Sequence, residues 1–141
     1  LAHQIRSKKL EHVRKALQMP EQFGDLKSGE LLLVGWGSSR GVVEEVVEKL
    51  IAQGYQVSGM HFKIVYPLPL GLTEIFKQYK HVVVVEMAYG DTLKLTPFVQ
   101  MLRSETLVDV KGLISEAKGR PLKPIHVIEK IKDYLKEPIP C

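Results

Sequence analysis

Cysteine is all but missing: the only one is Cys141, the last of 141 residues. That excludes an internal disulfide, a paired-thiol redox motif and any cysteine-ligated iron–sulfur or zinc site within the chain. The five histidines (His3, His12, His61, His81 and His126) form no HxH or HxxxH pair, so no metal centre is expected. Long apolar runs are missing too. The clearest is four valines at residues 82–85, far short of the roughly 18 residues a membrane-spanning helix needs. No charged, apolar and small-residue sequence of a secretory leader opens the chain, so a reducing cytoplasm and no membrane partner are expected. Aromatic residues are only 7%, and no aromatic ribonucleoprotein motif or zinc finger is present.

An excess of one charge is lacking over most of the chain. The formal net charge is +4, and all of it lies in residues 1–19, where Arg6, Lys8, Lys9, Arg14 and Lys15 face Glu11 alone. The remaining residues carry 15 basic and 15 acidic groups. Interleaved with Leu10, Val13 and Leu17, the basic residues read as an amphipathic helix that lays one stripe on a neighbour. Binding of nucleic acid through this segment is the sharper but weaker alternative. The chain opens at Leu1, without methionine and inside this helical pattern, which reads as a piece of a longer polypeptide.

What is present is regular. Residues 20–29 are rich in Pro, Gly, Asp, Ser and Lys and read as a loop, so 1–29 is expected to be a basic linker helix and loop and 30–141 an α/β domain. Residues 31–34 form an apolar run that fits a strand buried on both faces. Over residues 42–53, Val42, Val43, Val46, Val47, Leu50 and Ile51 share one side of a helix that Gly54 ends. Residues 56–65 alternate as a strand, and Tyr66-Pro67-Leu68-Pro69 must turn because prolines cannot join a ladder. A short helix at 72–79, a buried strand at 82–85, a helix carrying Leu95, Phe98, Val99 and Leu102, a strand at 110–114 and a helix at 124–136 complete the series. The helix around Phe98 starts either at an Asp91 or Thr92 cap and kinks, or at Thr96 with Pro97 in its first turn. Alternation of strands and helices predicts an open parallel α/β sheet with crossover helices.

Three places could carry chemistry. Gly35, Gly37, Ser38, Ser39, Arg40 and Gly41 lie between a strand and a helix, where glycines allow a tight turn and free N–H groups suit an anion. The dinucleotide fingerprint fails, because Arg40 stands where its third glycine should be and no acid follows in residues 56–65. A tight turn with Ser38 or Ser39 capping the helix is the simpler reading. A stand-alone module that binds a nucleotide or other anion at residues 35–41 is the alternative. Glu86 ends the valine strand at the edge where open α/β sheets gather ligands. It can serve as acid, base or cation ligand, or accept hydrogen bonds from a neighbouring loop or domain. Arg120, in Gly119-Arg120-Pro121, reads as a salt-bridging or interface residue. No nucleophile elbow, phosphate-binding loop or catalytic triad is visible.

Six motifs occur in order: Arg6 with Lys8-Lys9-Leu10, Gly35-Trp36-Gly37-Ser38, Tyr66-Pro67-Leu68-Pro69, Val84-Val85-Glu86 with Tyr89-Gly90, Arg103-Ser104-Glu105-Thr106, and Gly119-Arg120-Pro121. The series resembles the C-terminal part of the alpha subunit of 2-oxoacid:ferredoxin oxidoreductases, particularly the 2-oxoglutarate type. The resemblance implies a transketolase C-terminal-like, three-layer α/β/α sandwich around a mostly parallel sheet of about five strands. It further implies a non-catalytic structural and interdomain role, with Glu86, Tyr89, Arg103 and Arg120 as interface candidates. The full oligomeric enzyme, by the same resemblance, oxidatively decarboxylates a 2-oxoacid to acyl-CoA and passes electrons to ferredoxin. Its thiamine diphosphate, magnesium, iron–sulfur cluster and CoA would be held by other domains of the alpha subunit and by the beta subunit. Two departures stand out: Ala88 replaces the usual Asn before Tyr-Gly, and Ser115-Glu116-Ala117-Lys118 lacks the usual Tyr-Asp before Gly-Arg-Pro. Contacts made through those polar groups do not carry over.

Overall fold

Apolar side chains on both faces of a strand demand cover on both sides, and that requirement arranges this molecule. In a computed structural model, residues 2–86, 96–114 and 123–136 are described. The elements run α1 (Ala2–Ala16), β1 (Glu21–Gly24), β2 (Leu31–Trp36), α2 (Arg40–Ala52), β3 (Val57–Phe62), α3 (Leu72–Phe76), β4 (His81–Val85), α4 (Pro97–Thr106), β5 (Lys111–Ile114) and α5 (Pro124–Lys136). The five strands form one sheet in the order β1-β3-β2-β4-β5. β2 is parallel to β3 and β4, β4 is parallel to β5, and only β1 runs antiparallel, beside β3.

The sheet has two apolar faces. Leu31, Leu33, Val57, Val83 and Val85 meet Val43, Val46, Val47 and Leu50 of α2 and Val127, Ile128 and Ile131 of α5. Leu32, Val34, Met60, Phe62, Val82 and Val84 meet Leu72 and Phe76 of α3 and Phe98, Val99 and Leu102 of α4. The result is the α/β/α sandwich with a mostly parallel five-stranded sheet that the family resemblance implies. The choice left open for α4 falls to the later start. Pro97 takes the first helical position and Thr96 caps the helix by accepting from the Val99 N–H at 3.3 Å. The other proposed caps, Asp91 and Thr92, lie outside the described residues.

The stretch read as loop differs. Residues 21–24 form β1, whose Phe23 lies opposite Gly59 of β3. A side chain at Gly59 would collide with that ring, since a Cβ there would overlap Phe23 Cε2 and Cζ. β1 thus belongs to the sheet, and a boundary at residue 30 cuts through it. Residue 23 is the lone strongly apolar side chain in the strand, so the local pattern carries little signal. Two elements also prove shorter than their patterns: β3 ends at Phe62, leaving Ile64 52% exposed, and α3 ends at Phe76.

Candidate functional site

The carboxyl ends of β2, β3 and β4 converge where strand order reverses, between β2 and β4. Trp36 and the turn 37–39 leave β2 here, His61 lies near the end of β3, and Glu86 follows β4. Gly35 permits the close approach: a Cβ would fall 2.8 Å from both Ser39 Oγ and Val43 Cγ2. Gly37 turns the chain with a φ of 62°. Gly41 has open space around it, so no close contact requires its lack of a side chain.

Ser39 stands at the start of α2, but its hydroxyl turns back to β2. It donates to the Trp36 carbonyl at 2.8 Å and accepts from the Trp36 N–H at 3.0 Å. No side-chain hydrogen bond caps α2, and Ser38 is exposed, which corrects the expectation of a serine cap. The physical reason is competition. The extended Trp36 backbone offers a donor and an acceptor together, and one hydroxyl satisfies both.

Arg40 is engaged by acids. Its Nε donates to Glu44 Oε1 at 2.8 Å and its Nη2 to Glu21 Oε2 at 2.7 Å. The hydrogen bond to Glu44, followed by the charge of Glu21, raises its already high pKa. Two carboxylates beside the guanidinium oppose the anion that the alternative reading places at this loop. Beneath it, His61 is buried and its Nε2–H donates to the Gly37 carbonyl at 3.0 Å, with Nδ1 unpartnered among the described residues.

Glu86 is 2% exposed. Oε2 accepts from Trp36 Nε1–H at 2.6 Å, and Oε1 accepts from the Thr96 hydroxyl. The Trp36 ring rests 5.9 Å from that of Phe98, itself edge-on to Phe62. The carboxylate therefore ties the ends of β2 and β4 to the start of α4 inside the crevice. Both of its oxygens accept hydrogen bonds from within the domain. Arg103, the second of the two interface candidates that are described, reaches the Val110 carbonyl at 3.3 Å and Asp109 at 3.1 Å. Tyr89 and Arg120 lie outside the described residues.

The edge thus gathers Gly35, Gly37, Ser39, Arg40 and Glu86, and adds Glu21, His61 and Thr96, which were not singled out as site residues from sequence. Arg40 and Glu44 are four apart on a helix and legible as a pair. Glu21 becomes a partner only once β1 is seated. No group of three or more His, Cys, Asp or Glu among the described residues can hold a metal ion. No described helix is long and apolar enough to cross a membrane.

Comparison with known proteins places these features in context. The model of the pyruvate:ferredoxin oxidoreductase core domain II family matches residues 29–127. The 2-oxoglutarate oxidoreductase subunit KorA of Mycobacterium tuberculosis is 34% identical over 103 residues, covering 73% of this chain and 14% of its own length. The 1-deoxy-D-xylulose-5-phosphate synthase of Helicobacter hepaticus is 29% identical over 126 residues, covering 78% of this chain and 20% of its own. Among solved structures, the 2-oxoglutarate:ferredoxin oxidoreductase of Magnetococcus marinus, with 2-oxoglutarate, coenzyme A and succinyl-CoA bound, superposes with a TM-score of 0.81 at 25% identity. That likeness covers 94% of this chain and 22% of the Magnetococcus chain. The chain thus spans a fifth or so, or less, of each of these relatives.

Proposed function

Because the chain belongs to the pyruvate:ferredoxin oxidoreductase core domain II family, we propose that it serves as a non-catalytic, interdomain part of a 2-oxoacid:ferredoxin oxidoreductase alpha subunit, acting on 2-oxoglutarate. The whole enzyme decarboxylates the oxoacid, conserves the acyl group as succinyl-CoA and delivers the released electrons to ferredoxin. The likeness to KorA and to the Magnetococcus enzyme supports this substrate. The synthase match advises that the fold alone does not choose it.

One observation carries the non-catalytic role: the Glu86 carboxylate and the Arg40 guanidinium at the ligand edge are both spent on partners within the domain. Both Glu86 oxygens accept hydrogen bonds from within the domain, and Arg40 lies between two carboxylates. The described residues do not fit the enzyme's cofactors. An iron–sulfur cluster needs several thiolates where this chain has Cys141 alone, and a diphosphate would meet Glu21 and Glu44 beside Arg40. Thiamine diphosphate, magnesium, the cluster and CoA therefore belong to other domains and to the beta subunit, in a cytoplasmic oligomer. No chemical step is assigned to this chain's own side chains.

The test is turnover. The full alpha subunit with its beta subunit is expected to reduce a viologen dye with 2-oxoglutarate and CoA, while residues 1–141 alone, supplied with thiamine diphosphate and magnesium, are expected to be inactive. Dye reduction by the 141-residue chain would refute the non-catalytic role. A complete enzyme inert toward every 2-oxoacid would refute the activity.

A further inference from the structure

A groove of ≈ 480 Å³ opens between the end of α1, the start of β1 and the segment that follows β3. Leu17, Met19, Ile64 and Pro69 give it an apolar floor and walls. Met19 is 37% and Ile64 52% exposed, and Val13 on α1 is 48% exposed. Single exposed apolar residues are ordinary on protein surfaces, but two lining one concavity, with a third on the helix that leads into it, suggest a buried contact.

The charge around the groove is one-sided. At 100° per residue, Arg6, Lys9, Val13 and Ala16 fall on one flank of α1, beside the half-buried stripe of Leu10 and Leu17. Ala16 continues this flank into the groove, whose other wall carries Lys63. Arg6, Lys9 and Lys63 are exposed and make no ion pair with a described residue. By contrast, Arg14 pairs with Glu105, Lys15 with Glu11, Lys49 with Glu45 and Lys111 with Asp109, although Lys8, Lys27, Lys77 and Lys80 are, like the groove cations, without an ion pair to a described residue. Glu21, the one acid at the groove, is held by Arg40. Arg14 also donates to the Leu68 carbonyl at 2.9 Å, so α1 is fastened to the domain while its flank stays bare.

We propose that this groove and the Arg6–Lys9–Val13 flank of α1 form a docking surface for an acidic, apolar-centred protein surface supplied by another part of the same oxidoreductase. The inference rests on the functional reading above and deepens it by locating the contact. An apolar centre with a rim of unpaired cations matches a partner whose leucine-like anchor enters the groove while its carboxylates meet Lys9 and Lys63. The relatives leave ample chain for such a partner, since the match covers 14% of KorA and 22% of the Magnetococcus chain.

The experiment places the photo-crosslinking residue p-benzoylphenylalanine at Ile64 in the complete alpha and beta enzyme. Irradiation is expected to join residue 64 to an Asp- or Glu-containing peptide outside residues 1–141. The double charge reversal Lys9→Glu with Lys63→Glu should abolish that crosslink, and Lys9→Arg with Lys63→Arg should keep it. A crosslink to residues 1–141 of a second copy, to nucleic acid or to a peptide without carboxylates would overturn the proposal. So would an unchanged yield after charge reversal, or no crosslink in an enzyme that melts normally. The dye-reduction assay on the same preparations separates the two readings. The expected crosslink in an inactive enzyme would spare the docking surface and sink the activity, and an active enzyme without it would do the reverse.

Discussion

His81 stands at the start of β4 with Nδ1 3.1 Å from the Tyr134 hydroxyl and its ring edge-on to that of Tyr134. Burial, with a smaller contribution from the charge of Lys80, lowers its pKa below the ordinary 6.5. The unfolded chain therefore takes up this proton before the folded one does. Stability from the neutral imidazole is complete above pH 6.5, falls as the pH drops below that value and is lost once the pH passes the folded pKa. Melting temperature measured from pH 7.5 downward should show this decline, and His81→Asn should flatten it. An identical pH profile in that variant would show that His81 contributes nothing to acid sensitivity. A buried histidine, His61, illustrates what a sequence withholds. His61 reads as one polar residue in an alternating strand, and its bond to the Gly37 carbonyl exists only because parallel register sets it beside Gly35.

Helices and central strands were legible because each carries its own pattern. The valines of β4 and the stripe of Val127, Ile128 and Ile131 on α5 specify burial within one element. The start of α4 was legible as one of two choices, and Thr96 decides it by serving two partners. Its hydroxyl oxygen accepts from the Val99 N–H while its proton goes to Glu86. Thr96→Ala should cost about 2–4 kcal/mol, combining a lost cap with a buried carboxylate short of one donor. Thr96→Ser should restore most of it, as urea denaturation would reveal. A cost below about 1 kcal/mol would mean that neither hydrogen bond matters. β1 was illegible for the opposite reason: Glu21-Gln22-Phe23-Gly24 gains its conformation from β3 and contributes little propensity of its own. The partner of Arg40 was hidden with it, since Glu21 approaches only when that strand is in place.

At the scale of the whole molecule, sequence order and spatial order part company. The first strand in the chain pairs with the third, and the second takes the centre of the sheet. The alternation of elements was enough to give a parallel α/β sheet with crossover helices, while the antiparallel edge followed from a fit between two residues that no local pattern links, Phe23 and the bare backbone of Gly59. β1 is also a guard. All six residues of β3 are buried, and the short strand at its side is what keeps that ladder from being an open edge. A protein trimmed to residues 30–141 would lose the guard and expose a row of Ser58, Gly59, Met60 and His61, free of lysine and acid, as a template for pairing with other chains. Light scattering should show that truncated form aggregating at concentrations where residues 1–141 remain monodisperse. Residues 21–24, which carry no chemistry, would thereby decide whether the domain survives alone in solution.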